Sequence, residues 1–270
     1  MNVQETIRAR MNEFTAAEAA FAEYVLLHGD LIFKSITLVT EESGISYGTV
    51  IRFCQKLGFS GFQDFKIHLA VESGRGSAEG GDSEPGWLER RSKIAAQQIA
   101  ATARSIGEAD LKAVTQALAK ARFILIVGVA GSFPVAVELA YRMDRLGLLA
   151  RAECDTHVQA IRASLLGPED MLFAISNSGS TKEILDCARL ARGRGARVVA
   201  LTNFAKSPLT EESDFVLTTA VWEGVLQAEL GTKLPCFFVV ELLASLLLGT
   251  MPGAEQNLRL SSDSVASRLL

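Results

Sequence analysis

The chain has 270 residues, 49% hydrophobic and 21% charged, with a formal net charge of −4. That is enough apolar material for one large or two modest cores, so a wholly disordered chain and a uniformly basic nucleic-acid coat are both excluded, though a local basic patch is not. The 4 cysteines and 3 histidines are scattered without a CxxC pair, and no basic start leads into an apolar run. A metal centre, a disulfide framework and a secretory signal are therefore not expected, and the setting reads as cytoplasmic.

The first 72 residues read as short helices only. Thr15 can cap a helix that carries Phe21, Tyr24, Val25 and His28 on one stripe. A short piece covers Leu31 to Lys34. Ser35 opens a helix that stops near Gly44, and Ser46 caps the next, which runs to Gly58 with Val50, Phe53, Cys54 and Leu57 on its apolar stripe. A last helix covers Phe62 to Val71. Residues 73–86, SGRGSAEGGDSEPG, read as a flexible linker.

From residue 87 the rhythm changes. Helices over about 87–106 and 110–121 lead into five short apolar runs: FILIV (123–127), LLARA (148–152), MLFAI (171–175), RVVAL (197–201) and DFVLT (214–218). Most lack polar alternation, as strands covered on both faces do, and helices of about 10–15 residues separate them. The pattern predicts an α/β three-layer sandwich around a parallel five-stranded sheet with right-handed crossovers, preceded by the all-α head. The final apolar stretch, Leu234 to Leu248, contains Pro235 and Glu241. It falls short of the about 18 uninterrupted residues of a membrane helix and reads as a buried one.

Two surfaces carry candidate chemistry. In the head, two helices joined by a tight turn at Ser43-Gly44-Ile45 have a helix-turn-helix layout. With the stripe of the second helix turned inward, its other side presents Gly48, Thr49, Arg52, Gln55 and Lys56. Arg suits guanine edges, Gln suits adenine, and Lys and Thr suit phosphates or bases in a major groove. Ser46 and Tyr47 sit at that helix's N-terminus, where backbone N–H groups favour a phosphate. A merely solvated helix face is the alternative.

In the body, ligands of an open parallel sheet bind beyond the carboxyl ends of its strands. Gly128-Val129-Ala130-Gly131-Ser132 follows the first strand, and Ser176-Asn177-Ser178-Gly179-Ser180-Thr181 follows the third. Gly131 lets backbone approach a ligand, and Ser132 offers a hydroxyl at a helix start. In the second loop Ser176, Ser178, Gly179, Ser180 and Thr181 make a cradle for a phosphate that relies on hydroxyls, N–H groups and the helix dipole, with no cation of its own. The alternative is a cluster of capping and turn residues.

SGISYGTVIRFCQKLGFSGFQDFKIHLA, residues 43–70, closely resembles the N-terminal domain of RpiR-family bacterial transcriptional regulators. The carriers are Ser46, Thr49, Val50, Arg52, Phe53 and Cys54, then Lys56-Leu57-Gly58-Phe59 and Ser60-Gly61-Phe62. The resemblance implies that Ser46, Thr49, Arg52 and Lys56 lie on the recognition helix and that Ser60 and Lys66 are nearby phosphate contacts. Thr40 and Gly48 stand where alanines are usual. Residues 123–219 are similar to the SIS (sugar isomerase) phosphosugar-binding domain, with its Ser-x-Ser-Gly-x-Thr signature at Ser176, Ser178, Gly179 and Thr181. That resemblance implies phosphate binding there and effector contacts from Ser132 and Ser176. Ala130-Gly131 stands where Gly-Ala is more usual. Asp155-Thr156-His157 resembles the family's Asp-Pro-His, so His157 is a candidate effector contact, and Glu229 lies near the place of an isomerase carboxylate.

The expectation is a ligand-responsive regulator: residues 1–72 bind DNA, and residues 87–270 bind a phosphorylated sugar or sugar acid and dimerise through the apolar helix. A homodimer would suit an inverted-repeat operator. No catalytic residue, cofactor, metal or membrane partner is expected. A phosphosugar isomerase or etherase built on Glu229 and His157, and a scaffold whose head binds protein, are the alternatives.

Overall fold

The computed structural model describes residues 3–29, 31, 34, 36–62, 64–66, 68–69, 86–221 and 232–266. The chain divides into two compact units, 1–96 with 221–232 and 97–220 with 233–270. Of the expected linker only Gly86 lies among the described residues, and Ser35 and Glu229 lie outside them.

The described residues of the first unit fold as helices and their connecting turns. α1 (Val3–Ala9), which the sequence reading did not anticipate, buries Val3 and Ile7. Thr15 caps α2 (Ala16–Leu27) in a reciprocal box: Glu18 N donates to Thr15 Oγ1 at 3.4 Å, and Thr15 N donates to Glu18 Oε2 at 2.9 Å. α3 (Ile36–Ser43) ends at Gly44, and α4 (Tyr47–Lys56) starts from Ser46. The end of α4 is closed by Gly58 N to Gln55 O at 2.9 Å and Phe59 N to Cys54 O at 3.0 Å. That pairing needs a left-handed residue, which Gly58 supplies at φ +96°. Phe62, Asp64–Lys66 and His68–Leu69 are helical as well. Phe53 is the hub of the core, its ring centroid 5.0 Å from Phe14, 5.1 Å from Phe21 and 5.9 Å from Phe65. The stripe expected on α4 is the face that meets it.

α5 (Trp87–Ser105) carries the boundary between the units. α6 (Glu108–Lys120) leads into the sheet, whose strands are β1 (Ile124–Gly128), β2 (Ala150–Glu153), β3 (Met171–Ile175), β4 (Arg197–Thr202) and β5 (Phe215–Thr218). All are parallel, in the order β2-β1-β3-β4-β5. β1 and β3 are buried at every position, and Arg197 is the one exposed residue of β4. This is why their runs show no alternation, while the edge strand β2 exposes Arg151.

The pleat divides the core. Ile124, Ile126, Phe173 and Leu201 face α6, α7 (Phe133–Arg145), α11 (Leu234–Thr250) and α12 (Ala254–Ala266). Leu125, Val127, Leu172 and Ala200 face α8 (Thr156–Ala163), α9 (Lys182–Gly193) and α10 (Pro208–Glu211). The helix after β1 thus packs on one face and the helix after β3 on the other. Their loops leave the sheet in opposite directions at the point where the strand order reverses, which is where open α/β sheets bind ligands.

Candidate functional site

Gly128, the last residue of β1, stands in register with Ile175, the last residue of β3. The two serine loops therefore start side by side. In the second, Gly179 N donates to Ser176 O at 3.1 Å, and Ser180 N donates to Ser178 Oγ at 3.2 Å. Ser176 and Thr181 share a hydroxyl–hydroxyl bond of 2.9 Å. Thr181 is the N-cap residue of α9, yet its side chain makes no capping bond, so the helix keeps its first N–H groups open to an anion. Gly179 sits at φ +62° against Ser207 and Thr202, where a Cβ would collide with the Ser207 hydroxyl. Only glycine can close this turn.

The first loop is tighter. Ala130 adopts φ +49°, a conformation that strains a residue with a Cβ, and Ser132 is buried without capping α7. Where an Ala-Gly order replaces Gly-Ala, the bare Cα of Gly131 makes room for a lysine: a Cβ there would lie 3.3 Å from Lys233 Cε and 3.9 Å from Nζ. Lys233 is half-buried at the start of α11, and among the described residues no ion pair holds its ammonium. This places a cation beside the first loop, whereas the expectation of a cradle without a cation concerned the second. The sequence reading missed Lys233 because it lies far along the chain from both loops, and only the fold brings it over Gly131.

At the end of β2, Asp155 caps α8 by accepting from His157 N at 2.9 Å and Val158 N at 3.0 Å. His157 is exposed. Gln159, one turn on, is fully buried. Its Nε2 donates to Gly128 O at 3.1 Å and Glu153 O at 2.7 Å, joining the ends of β1 and β2, while Oε1 meets no partner among the described residues.

On the head, the residues expected to face DNA separate into two groups. Ser46, Tyr47, Arg52 and Gln55 are exposed along α4. Thr49 is buried instead: its hydroxyl bonds Ser46 Oγ at 2.9 Å and accepts from Arg52 Nη2 at 3.3 Å, which steers the guanidinium. Lys56 is turned inward, donating to Glu18 Oε2 at 2.9 Å and Glu13 O at 2.7 Å. Ser60 is exposed and donates from N and Oγ to Asp64 Oδ2 at 2.7 and 3.0 Å. Lys66 does not reach the surface. It is buried, its ammonium donates to Lys34 O at 2.8 Å, and burial pulls its pKa down to about 8. Phe62, Phe65, Lys66 and Leu69 recur at helical spacing, a signal that would have placed Lys66 on the inner stripe.

A helix-turn-helix profile of the rpiR family matches residues 1–75, and a SIS domain profile matches residues 117–246. An HTH-type transcriptional regulator of Clostridium perfringens (strain 13 / Type A) is 28% identical over 253 residues, covering 90% of this chain and 91% of its own. The solved structure of the Vibrio vulnificus NanR protein complexed with ManNAc-6P superposes with a TM-score of 0.88 at 31% identity, covering 100% of both chains. The chain belongs to the RpiR family. The sugar isomerase domain of an RpiR transcription factor from Sphaerobacter thermophilus shares the fold of the body, with a TM-score of 0.61 at 22% identity over 66% of this chain and 99% of its own. In RpiR terms, Ser46, Tyr47, Arg52 and Gln55 fall inside the helix-turn-helix match, and both serine loops and Lys233 fall inside the SIS match.

Proposed function

We propose that this RpiR protein is a bacterial transcriptional regulator that binds DNA through α4 and changes its operator affinity when its body takes up a phosphorylated sugar or sugar acid. One observation carries the reading: an open helix N-terminus ringed by Ser176, Ser178, Ser180 and Thr181 starts level with a second serine loop beside which lies Lys233, whose ammonium has no ion-pair partner among the described residues. Amide dipoles, hydroxyls and one cation are the groups that bind a phosphate monoester in water. The relatives support it: the Clostridium perfringens protein is named as an HTH-type transcriptional regulator, and the Vibrio vulnificus NanR protein is solved in complex with ManNAc-6P. The reading assigns Ser132, His157 and Gly131 to the sugar side, and Ser46, Tyr47, Arg52 and Gln55 to DNA.

The reading is of a sensor rather than an enzyme, working in the cytoplasm where its operator is. It includes a homodimer on an inverted-repeat operator. α11 is apolar nearly all round, and Leu234 on it stays 47% exposed, as do Val137 at 45% and Tyr141 at 55% on α7. A second copy would cover such surface. The test is a DNA-binding titration at fixed salt with DNA selected from a random pool, with and without a panel of sugar phosphates and phosphorylated sugar acids. A change in affinity with one of them is expected. DNA binding that ignores the whole panel overturns the sensor reading.

A further inference from the structure

A line of polar groups runs from the back of the phosphate loop to α5. Asn177 O accepts from Asn203 N at 3.1 Å and from Thr202 Oγ1 at 3.3 Å. Thr219, beyond the end of β5, donates from N to Thr202 O at 2.9 Å and from Oγ1 to Asn203 Oδ1 at 3.3 Å. The next residue, Ala220, donates its N–H to Thr102 Oγ1 on α5 at 2.9 Å. One turn on, Ser105 Oγ donates to Thr218 O at 2.9 Å. Thr102, Thr202 and Thr219 are all buried.

This arrangement is more than helix-on-sheet packing. Once β5 runs out of ladder partners, its backbone groups still need hydrogen bonds. Here a helix supplies them through two hydroxyls instead of a neighbouring strand. Thr102 is buried, where leaving such a bond unmade is expensive, so its hydroxyl ties the strand end to the helix turn, and the exposed Ser105 bond adds a second tie. The same strand end holds Asn203, and Asn203 holds the loop. α5 is also the first helix after residues 70–85, and the boundary between the compact units falls within it, between Ala96 and Gln97.

We propose that Thr102 and Ser105 are positioning residues that couple occupancy of the phosphate loop to α5, making this helix the output element of the effector domain. The proposal rests on the phosphate-binding reading above. An anion on the loop fixes the Asn177 peptide. That restrains Asn203 and Thr219, and the clasp passes the restraint to the last two turns of α5. No large displacement is required, because quenching motion along a bonded path is itself a coupling.

The test is hydrogen–deuterium exchange on the full chain, with inorganic phosphate and separately with N-acetylmannosamine 6-phosphate as probes. In the wild type, amides of residues 176–184 and of residues 98–105 both exchange more slowly with probe present. In Thr102→Val the loop remains protected and the helix response is lost, whereas Thr102→Ser, which keeps the hydroxyl, restores it. Ser105→Ala, at an exposed position, weakens the helix response and serves where Thr102→Val fails to fold. A clasp that is only structural would leave the response of residues 98–105 intact in the variants, and that result overturns the proposal. So does a wild type whose loop is protected while α5 is unaffected. No protection at the loop with either probe overturns the phosphate reading itself and this proposal with it.

Discussion

Lys56 reaches back across the head to Glu18, its ammonium 2.9 Å from Oε2 of a carboxylate that also closes the cap of α2. The Thr15 N–H, and then the lysine, hold the Glu18 carboxyl below its ordinary value of 4.5. A carboxyl depressed in the folded state adds stability above its unfolded pKa and loses it as pH falls through the folded value. Glu18→Gln should therefore destabilise the head at neutral pH by about 1–2 kcal/mol, through the weakened cap and the lost charged bond. As pH falls below about 4.5 and on through the depressed folded value, the gap between variant and wild type should narrow and then close. Urea titrations followed by circular dichroism at the two pH values check this. A gap that widens in acid would refute the assignment.

Arg52 is the exposed guanidinium of α4, held by Thr49 and backed by Gly48, where an added Cβ would lie 3.6 Å from Nη1. A bidentate contact to a base is worth about 1–3 kcal/mol. Arg52→Ala should weaken binding to selected DNA by about 10- to 100-fold and relax its sequence preference, with phosphosugar binding unchanged. Fluorescence anisotropy on matched and scrambled duplexes reads both effects. Equal losses on the two duplexes would mean that Arg52 only touches phosphate.

Much of this architecture is legible in the chain because burial on both faces writes itself into composition. FILIV, MLFAI and RVVAL are apolar without alternation, and they became β1, β3 and β4 with almost every position covered. Caps and loops are local too: Thr15 with Glu18, Ser46 with Thr49, and the two serine loops need no distant residue to be found. α1 escaped because Val3 and Ile7 are too few apolar positions to set a period. Lys56 and Lys66 were read as free cations, since sequence gives the charge and not the partner. Glu18 lies 38 residues from Lys56, and Lys34 lies 32 residues from Lys66. Lys233 over Gly131 is the same kind of long-range fact, visible only once α11 is laid against the sheet.

Lys233 should matter more to charge than to shape. Lys233→Met keeps the stem and removes the ammonium, so the body should fold normally while sugar-phosphate affinity falls about tenfold, the scale of one charge-assisted bond. The dependence of affinity on salt should flatten at the same time. Gly131→Ala, which only nudges a flexible side chain at 3.3 Å, should lose less. Isothermal titration across a salt series separates the two. Unchanged affinity in Lys233→Met would remove the lysine from the site.

Gly179 is the residue on which the phosphate loop turns. At φ +62° an alanine meets strain from its own backbone, worth about 1–2 kcal/mol. Its Cβ would also run into Ser207, which is buried and caps α10 by accepting from Thr210 N at 3.4 Å, so it cannot simply swing away. Overpacking of this kind adds about 1–3 kcal/mol. Gly179→Ala should thus lower the stability of the body by about 2–5 kcal/mol and abolish phosphosugar binding, while Arg52-dependent DNA contacts persist where the chain stays folded. Adding Ser207→Gly relieves the collision but not the backbone strain, so the double variant should recover part of the stability and little of the binding. Thermal melts paired with ligand titration distinguish these shares. If Gly179→Ala alone binds normally, the loop closes by some other geometry, and the open N-terminus of α9 is not where the anion sits.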